Sequence, residues 1–171
     1  MSNSISSLFP LIDSPSIWLR EMRSYDATPY SEILSDPNTF RFLTESGPVN
    51  PKDAFVKIQK NRQKVQTGTA LYGSIVNAED TFLGFVALHA WNSPEVHMSF
   101  GIHPDFRRQG IASEVIRAYC VWDKLYGKQL VMAVHLENGA SYGLLSKLGL
   151  GYQGVLELPQ GQRHVFVRGR R

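Results

Sequence analysis

The stretch Phe100-Gly101-Ile102-His103-Pro104-Asp105-Phe106-Arg107-Arg108-Gln109-Gly110-Ile111-Ala112-Ser113 has the residue types and the order of an anion site. An apolar run ends at Ile102, a short basic loop follows, and Gly110 opens a helix. Backbone amides from about Arg108 to Ser113 would then converge on one spot, with the positive end of the helix behind them. Gly110 permits close backbone approach, Ala112 keeps the wall small, and Arg107 and Arg108 supply charge suited to a diphosphate. The same residues also read as an ordinary glycine-initiated helix with surface arginines, and this stretch alone does not separate the two.

Two further glycine patterns suggest other chemistry. Gly149-Leu150-Gly151-Tyr152-Gln153-Gly154 has the spacing of a dinucleotide loop, but such a loop leaves a strand and opens a helix, whereas these glycines leave a helix and enter a strand. A helix cap followed by a turn is the expectation. Gly139-Ala140-Ser141-Tyr142-Gly143 has the pattern of a hydrolase nucleophile elbow, with Glu157 and His164 in the expected chain order. The stretch from Ser141 to His164 is too short for the strand and helix units that normally return an acid and a histidine to the serine. Glu95 and His97 alternate onto one face of a strand, where either carboxylate or imidazole could accept a proton. His89, Trp91 and His103 lie near strand ends and could line an acceptor site, although core or loop roles suit them better.

The elements that position these residues alternate along the chain. Ile17 to Met22 reads as a strand, and Asp26 as the N-cap of a helix that runs to about Leu34 and stops at Asp36-Pro37. Asn50 and Pro51 start a second, largely exposed helix with Ala54, Phe55, Ile58 and Val65 as its apolar positions and Gly68 as its terminator. Ala70 to Val76, Phe82 to Trp91 and Val96 to Ile102 are strands joined by short connections, hence an antiparallel meander. The Gly110 helix places Ile111, Val115, Ala118, Tyr119, Trp122 and Tyr126 on one face and closes at Gly127. Leu130 to Val134 is a doubly covered strand, a helix spans about Gly139 to Leu148, and two strands surround Pro159-Gln160-Gly161. The expected fold is α/β of the mixed, α+β-like kind. It is a single domain over 17–171 with a mostly antiparallel twisted sheet of about seven strands flanked by four helices. Residues 1–16 are expected to be loosely held.

Composition agrees with one globular domain. The chain has 171 residues, 43% of them hydrophobic and 19% charged, which excludes disordered and collagen-like classes. One cysteine, Cys120, excludes an internal disulfide and any multi-cysteine metal site, so no metal is expected. No signal or membrane segment is read at the amino terminus, and a cytoplasmic protein with no membrane partner is expected. The net charge of +3 is modest. Lys57, Lys60 and Lys64 share one helical face without interleaved aromatics, which argues against nucleic acid.

Arg107-Arg108-Gln109-Gly110-Ile111-Ala112 resembles the signature of the GNAT superfamily of acetyl-CoA-dependent N-acetyltransferases: Arg or Gln, two residues, Gly, one residue, Gly or Ala. Downstream, Glu137 to Ser141, Leu144 to Leu150 and Gly154-Val155 resemble the second motif of its Rim-type subgroup, which includes ribosomal-protein-alanine N-acetyltransferases. Two separated motifs in order are more specific than either alone, and the resemblance spans about residues 17 to 168. It implies that acetyl-CoA is the cosubstrate, with its diphosphate at Arg107, Arg108, Gln109, Gly110, Ile111, Ala112 and Ser113. The pantetheine arm would lie along Phe100, Gly101 and Ile102 and touch Asn138, with Ser141 and Lys147 also on the coenzyme side. A primary amine then attacks the thioester directly, and the resemblance implies the Ile102 amide as oxyanion donor.

His97 stands where the subgroup usually shows glutamate, so His97 and Glu95 both remain candidates for the base. Leu145 replaces the tyrosine that many members use as acid, which leaves Ser141 or Tyr142 for that role; Leu150 replaces a phenylalanine after Gly149. By resemblance the leading acceptor is a peptide or protein α-amino group. A small amine is the runner-up, and a non-catalytic coenzyme A-binding module is the third reading. A monomer and a homodimer are equally compatible with the sequence.

Overall fold

The computed structural model describes residues 8–43 and 48–169. Seven strands, β1 (Trp18–Glu21), β2 (Ala70–Val76), β3 (Phe82–His89), β4 (Glu95–Ile102), β5 (Gln129–His135), β6 (Gly151–Leu158) and β7 (Gly161–Arg168), form one sheet in the order β1-β2-β3-β4-β5-β7-β6. Every neighbouring pair is antiparallel except β4 and β5, which run parallel. Five helices accompany it: α1 (Ala27–Ser35), α2 (Pro37–Phe40), α3 (Pro51–Gln66), α4 (Ile111–Val121) and α5 (Gly139–Lys147). The four longer ones are those expected; the single-turn α2 is additional. Pro37, expected to end a helix, also begins the next one at N1, where its missing N–H costs nothing.

Strand alternation divides the core in two. One face carries Leu71, Ile75, Val86, Leu88, Val96, Met98, Leu130, Met132 and Phe166 against Ile111, Val115, Ile116 and Tyr119 of α4 and Leu145 of α5. The other carries Ala70, Tyr72, Phe85 and Ala87 against Tyr30, Ile33 and Leu34 of α1 and Ala54 and Ile58 of α3. Phe55, expected on the apolar stripe of α3, instead lies at its solvent edge, 44% exposed. The stripe is set by Ala54, Ile58 and Asn61, and Phe55 is one residue off it.

Two expectations are corrected at element ends. Asp26 precedes α1, but its side chain does not cap the helix. Its buried carboxylate receives both terminal nitrogens of Arg20 at 2.8 Å, the Arg23 N–H at 2.8 Å and the Ser74 hydroxyl at 2.7 Å, tying β1, β2 and α1 together. α4 ends at Val121, well short of Tyr126, because Trp122 turns to extended backbone and packs on Trp91 and Tyr119. The turn that follows buries Leu125 and leaves Tyr126 75% exposed. At the amino terminus, Phe9 is buried and its ring covers Gly73, where a Cβ would sit 2.8 Å away. Phe9 thus packs on the sheet while Leu11 is exposed, and residues 1–7 lie outside the described residues.

Candidate active site

The parallel pair is where the sheet opens. Ladder pairing between β4 and β5 runs from Glu95 and Gln129 only as far as His97 and Val131, although both strands continue, to Ile102 and His135. Between the parted halves lies a cleft of about 750 Å³, closed above by the start of α4, on one side by the start of α5 and on the other by α2 and the residues after it. Such a gap leaves strand edges without partners, and the direction of those groups follows from two bonds. Gln129 N–H donates to Pro94 C=O at 2.8 Å, while His103 N–H donates to Leu83 C=O at 2.8 Å. Even-numbered residues of β4 therefore turn their main-chain groups toward β5 and odd-numbered ones toward β3. Past the last pairing, Phe100 and Ile102 face the cleft with N–H groups that no strand takes up.

α4 supplies the anion end. Gly110 sits at its N-cap with φ of 79°, a conformation that favours glycine, and space is open where a Cβ would be. The first bond of the helix runs from Glu114 N–H to Gly110 C=O at 3.1 Å, so the amides of Ile111, Ala112 and Ser113 precede it and point out of the helix end. Gly110, Ile111, Ala112 and Ser113 all line the cleft, as do Arg107 and Arg108, the latter held at φ of 60°. This arrangement has the charge and the free amides to hold a diphosphate such as that of coenzyme A.

Arg107 is also tied to α2. The Arg107 guanidinium donates from Nη2 to Asp36 Oδ2 at 2.8 Å and to Thr39 Oγ1 at 2.6 Å, and from Nε to Ile102 C=O at 3.2 Å. It thus fastens α2 to the end of β4. Burial would raise the Asp36 carboxyl, but the hydrogen bonds from Arg107 and Thr39 and the Arg107 charge outweigh it and hold the group below its ordinary range. Gly101 also has a packing duty: a Cβ there would lie 2.6 Å from the Phe85 ring and 3.1 Å from Ile33 of α1.

Of the other sequence-derived candidates, Phe100, Gly101, Ile102, Asn138 and Ser141 line the cleft. Asn138 caps α5, its Oδ1 accepting the Ser141 N–H at 3.2 Å. Gln109, Lys147, Tyr142, Glu95 and His97 are not among the cleft walls. Tyr142 packs on the sheet face, 4.8 Å from the His164 ring and 5.3 Å from Phe166. His164 bonds the Tyr152 hydroxyl through Nδ1 at 2.9 Å, which commits it to this aromatic cluster rather than to a serine triad. Glu95 and His97 form a half-exposed pair at 3.0 Å on the still-paired part of β4. His103 is bound to Glu32 at 2.7 Å and caps the turn after β4, and Trp91 packs on Trp122.

Sequence reading missed Thr39, Arg41, Phe42, Ser99 and His135 as cleft residues. Ser99 had a readable signal, its place in the strand that leads to Gly110. The others had none, because they reach the cleft only through packing of distant segments. Among the described residues, no group of three or more His, Cys, Asp or Glu side chains could hold a metal ion, and no helix is long and apolar enough to cross a membrane.

A mixed sheet parted at a parallel pair, with a helix amino end across the gap, is the architecture of an acetyltransferase. The chain belongs to the acetyltransferase (GNAT) domain family, which matches residues 16–151, and is an N-acetyltransferase. Among solved structures it is similar to a putative ribosomal-protein-serine acetyltransferase from Vibrio cholerae, with 17% identity and a TM-score of 0.75 over 91% of this chain and 95% of that one. It is also similar to RimL, a ribosomal L7/L12 alpha-N-protein acetyltransferase, in complex with coenzyme A, with 14% identity and a TM-score of 0.74 over 92% and 96%. A third similar structure is the microcin C7 self-immunity acetyltransferase MccE with acetyl-CoA and AMP, with 15% identity and a TM-score of 0.75 over 90% and 92%. At these identities the likeness is one of fold. No curated protein matches the sequence significantly.

Proposed function

We propose that the chain transfers acetyl from acetyl-CoA to the α-amino group of a peptide or protein amino terminus, the amine attacking the thioester directly. The observation that carries this reading is the unpaired edge of β4 running into the α4 amides. It offers alternating main-chain donors and acceptors to an amide-bearing pantetheine arm and a diphosphate cradle at its end. In this arrangement Arg108 and the amides of Ile111, Ala112 and Ser113 hold the diphosphate, and Asn138 borders the arm. Ile102 lies at the diphosphate end, with its C=O already bonded by Arg107. Phe100 N–H, nearer the point where the strands part, is therefore the better-placed oxyanion donor.

As the N–C bond forms and the C–S bond breaks, the amine loses one proton and the thiolate gains one. Ser141, on the cleft wall at the start of α5, is placed to give its hydroxyl proton to the thiolate and to recover one from water. An α-ammonium, with a pKa near 8, is about a tenth deprotonated at pH 7, whereas a lysine ammonium near 10.4 is almost wholly charged. An α-amine therefore needs the less powerful base. The fold neighbour named as an alpha-N-protein acetyltransferase points to the same acceptor class.

The test is calorimetric titration with acetyl-CoA, followed by thiol release with amino-terminal peptides, polyamines and lysine peptides. Binding with fastest turnover of amino-terminal peptides is expected. Faster turnover of polyamines overturns the acceptor, and absence of binding overturns the coenzyme site.

A further inference from the structure

Acceptance of the amine's proton is the step that the cleft residues above leave unassigned. The groups singled out by sequence, Glu95 and His97, pair with each other beside the still-zipped part of β4. Two residues further on, Ser99 enters the cleft wall on the same face of the strand. Its Oγ lies 3.2 Å from Nε2 of His89, which stands on the neighbouring strand β3, part-buried behind it. On the far side of the imidazole, Nδ1 is 3.5 Å from the Tyr72 hydroxyl of β2, and the two rings meet edge to face at 5.5 Å. Three adjacent strands thus place a hydroxyl, an imidazole and a phenol in a row that starts at the cleft.

We propose that Ser99 and His89 form the route by which the acceptor α-ammonium loses its first proton and becomes the attacking amine: Ser99 Oγ accepts it while the Ser99 hydroxyl proton passes to His89 Nε2. The assignment rests on the acetyl-transfer reading above. The balance is one proton from the ammonium nitrogen to the imidazole, which then returns it to water; the second proton, lost as the N–C bond forms, offsets the one that the thiolate gains. With Nδ1 protonated toward Tyr72, Nε2 is the acceptor that the step needs.

The charged surroundings keep the imidazole ready. Burial is the main cause that lowers the His89 pKa below its ordinary 6.5, followed by the positive charges of Lys64 on α3 and of His97, its cross-strand partner. Lys64 also lies over the Tyr72 ring at 5.8 Å, and Glu95 faces His97 from the same strand. Neutral at pH 7, His89 can accept a proton and, once charged, gives it up readily. A base this weak suits an α-ammonium near pKa 8 far better than a lysine ammonium, in keeping with the acceptor class proposed above.

The experiment compares wild type with His89→Gln and Ser99→Ala in acetyl-CoA-dependent acetylation of an amino-terminal peptide across pH 5.5–9.5, with coenzyme A titrated calorimetrically into each. At pH 7 both variants should lose about 100-fold or more in kcat/KM, the size of general-base assistance, with coenzyme affinity unchanged. The loss should shrink above pH 9, where the amine arrives uncharged, and the His89→Gln profile should lack the wild-type imidazole limb below neutrality. A merely structural hydrogen bond would lower the rate by one factor at every pH, and that result overturns the assignment. So does a variant within about threefold of wild type at pH 7, far below the expected general-base effect. If wild type binds coenzyme A yet acetylates no amine, the acetyl-transfer reading itself falls and takes this one with it.

Discussion

Arg107 and Arg108 are adjacent, equally charged and both on the cleft wall, yet they differ in their side-chain bonds, and two alanine variants can tell whether they also differ in duty. Arg107→Ala removes a charge-assisted bond to Asp36 and the bonds to Thr39 and Ile102 C=O, leaving a carboxylate that is 15% exposed without its cation. A hydrogen bond to a charged partner contributes about 1.5–3 kcal/mol. Because the Arg107 side chain is 32% exposed, solvent screening lowers the expectation to about 2 kcal/mol. In a chain of this length that is a fall of about 4–8 °C in Tm. Arg108 lines the cleft and makes no such tie, so Arg108→Ala should leave stability within about 0.5 kcal/mol. Losing its contact to a diphosphate, at about 1.5–3 kcal/mol, should weaken coenzyme A binding by about 10–100-fold. Thermal unfolding and calorimetric titration at one fixed salt concentration give both readouts, since long-range attraction of the anion falls with ionic strength. The expected pattern is crossed: Arg107→Ala unstable with affinity within about threefold, Arg108→Ala stable with weak binding. Equal loss of affinity in both, with Tm unchanged in both, would show that Arg107 also serves the diphosphate and would refute the division.

Gly110→Val should fold, because a Cβ at that position meets nothing within 4 Å, but with about 1–2 kcal/mol of strain from its φ of 79°. The side chain would fill the cradle, and coenzyme A affinity should drop more than about tenfold by titration, equivalent to about 1.4 kcal/mol; unchanged affinity would remove the diphosphate from this loop. Acid stability should show the Asp36 link. Its folded-state pKa is below the unfolded one, so between the two the unfolded chain binds more protons, and stability present above about pH 4 is lost as pH falls through the folded value. Urea midpoints measured from pH 6 to pH 2.5 should therefore fall less steeply in Asp36→Asn than in wild type, and parallel curves would contradict the assignment.

What could be read from the sequence is what neighbouring residues decide among themselves. Asn50 and Pro51 announce α3 because a side-chain oxygen and a missing N–H solve the helix-end problem locally; the structure shows Asn50 Oδ1 accepting the Asp53 N–H at 2.9 Å. Gly110 announces the cradle for the same kind of reason, since the orphan amides of a helix start follow from geometry within one turn. The features that make the cradle a site are of another kind. Whether β4 meets β5 along its whole length depends on segments more than 30 residues apart, and no local pattern states that their ladder stops at His97 and Val131. Asp26 illustrates how a local rule loses: it has the residue type and place of an N-cap, but a part-buried Arg20 and the Ser74 hydroxyl offer its carboxylate stronger partners than the helix amides do. Arg107 lines the cleft as expected, but its guanidinium also bonds Asp36, a partner far back in the chain that no local pattern announces. Ser99 and His89 meet because β3 and β4 pair in one register, His89 opposite His97. A slip of one residue would turn Ser99 to the other face of the sheet and leave the imidazole with nothing to receive. The register of a hairpin joined by Ala90 to Pro94 thus decides which hydroxyl the cleft contains. Reaction chemistry in this molecule depends as much on strand pairing as on the residues that carry it.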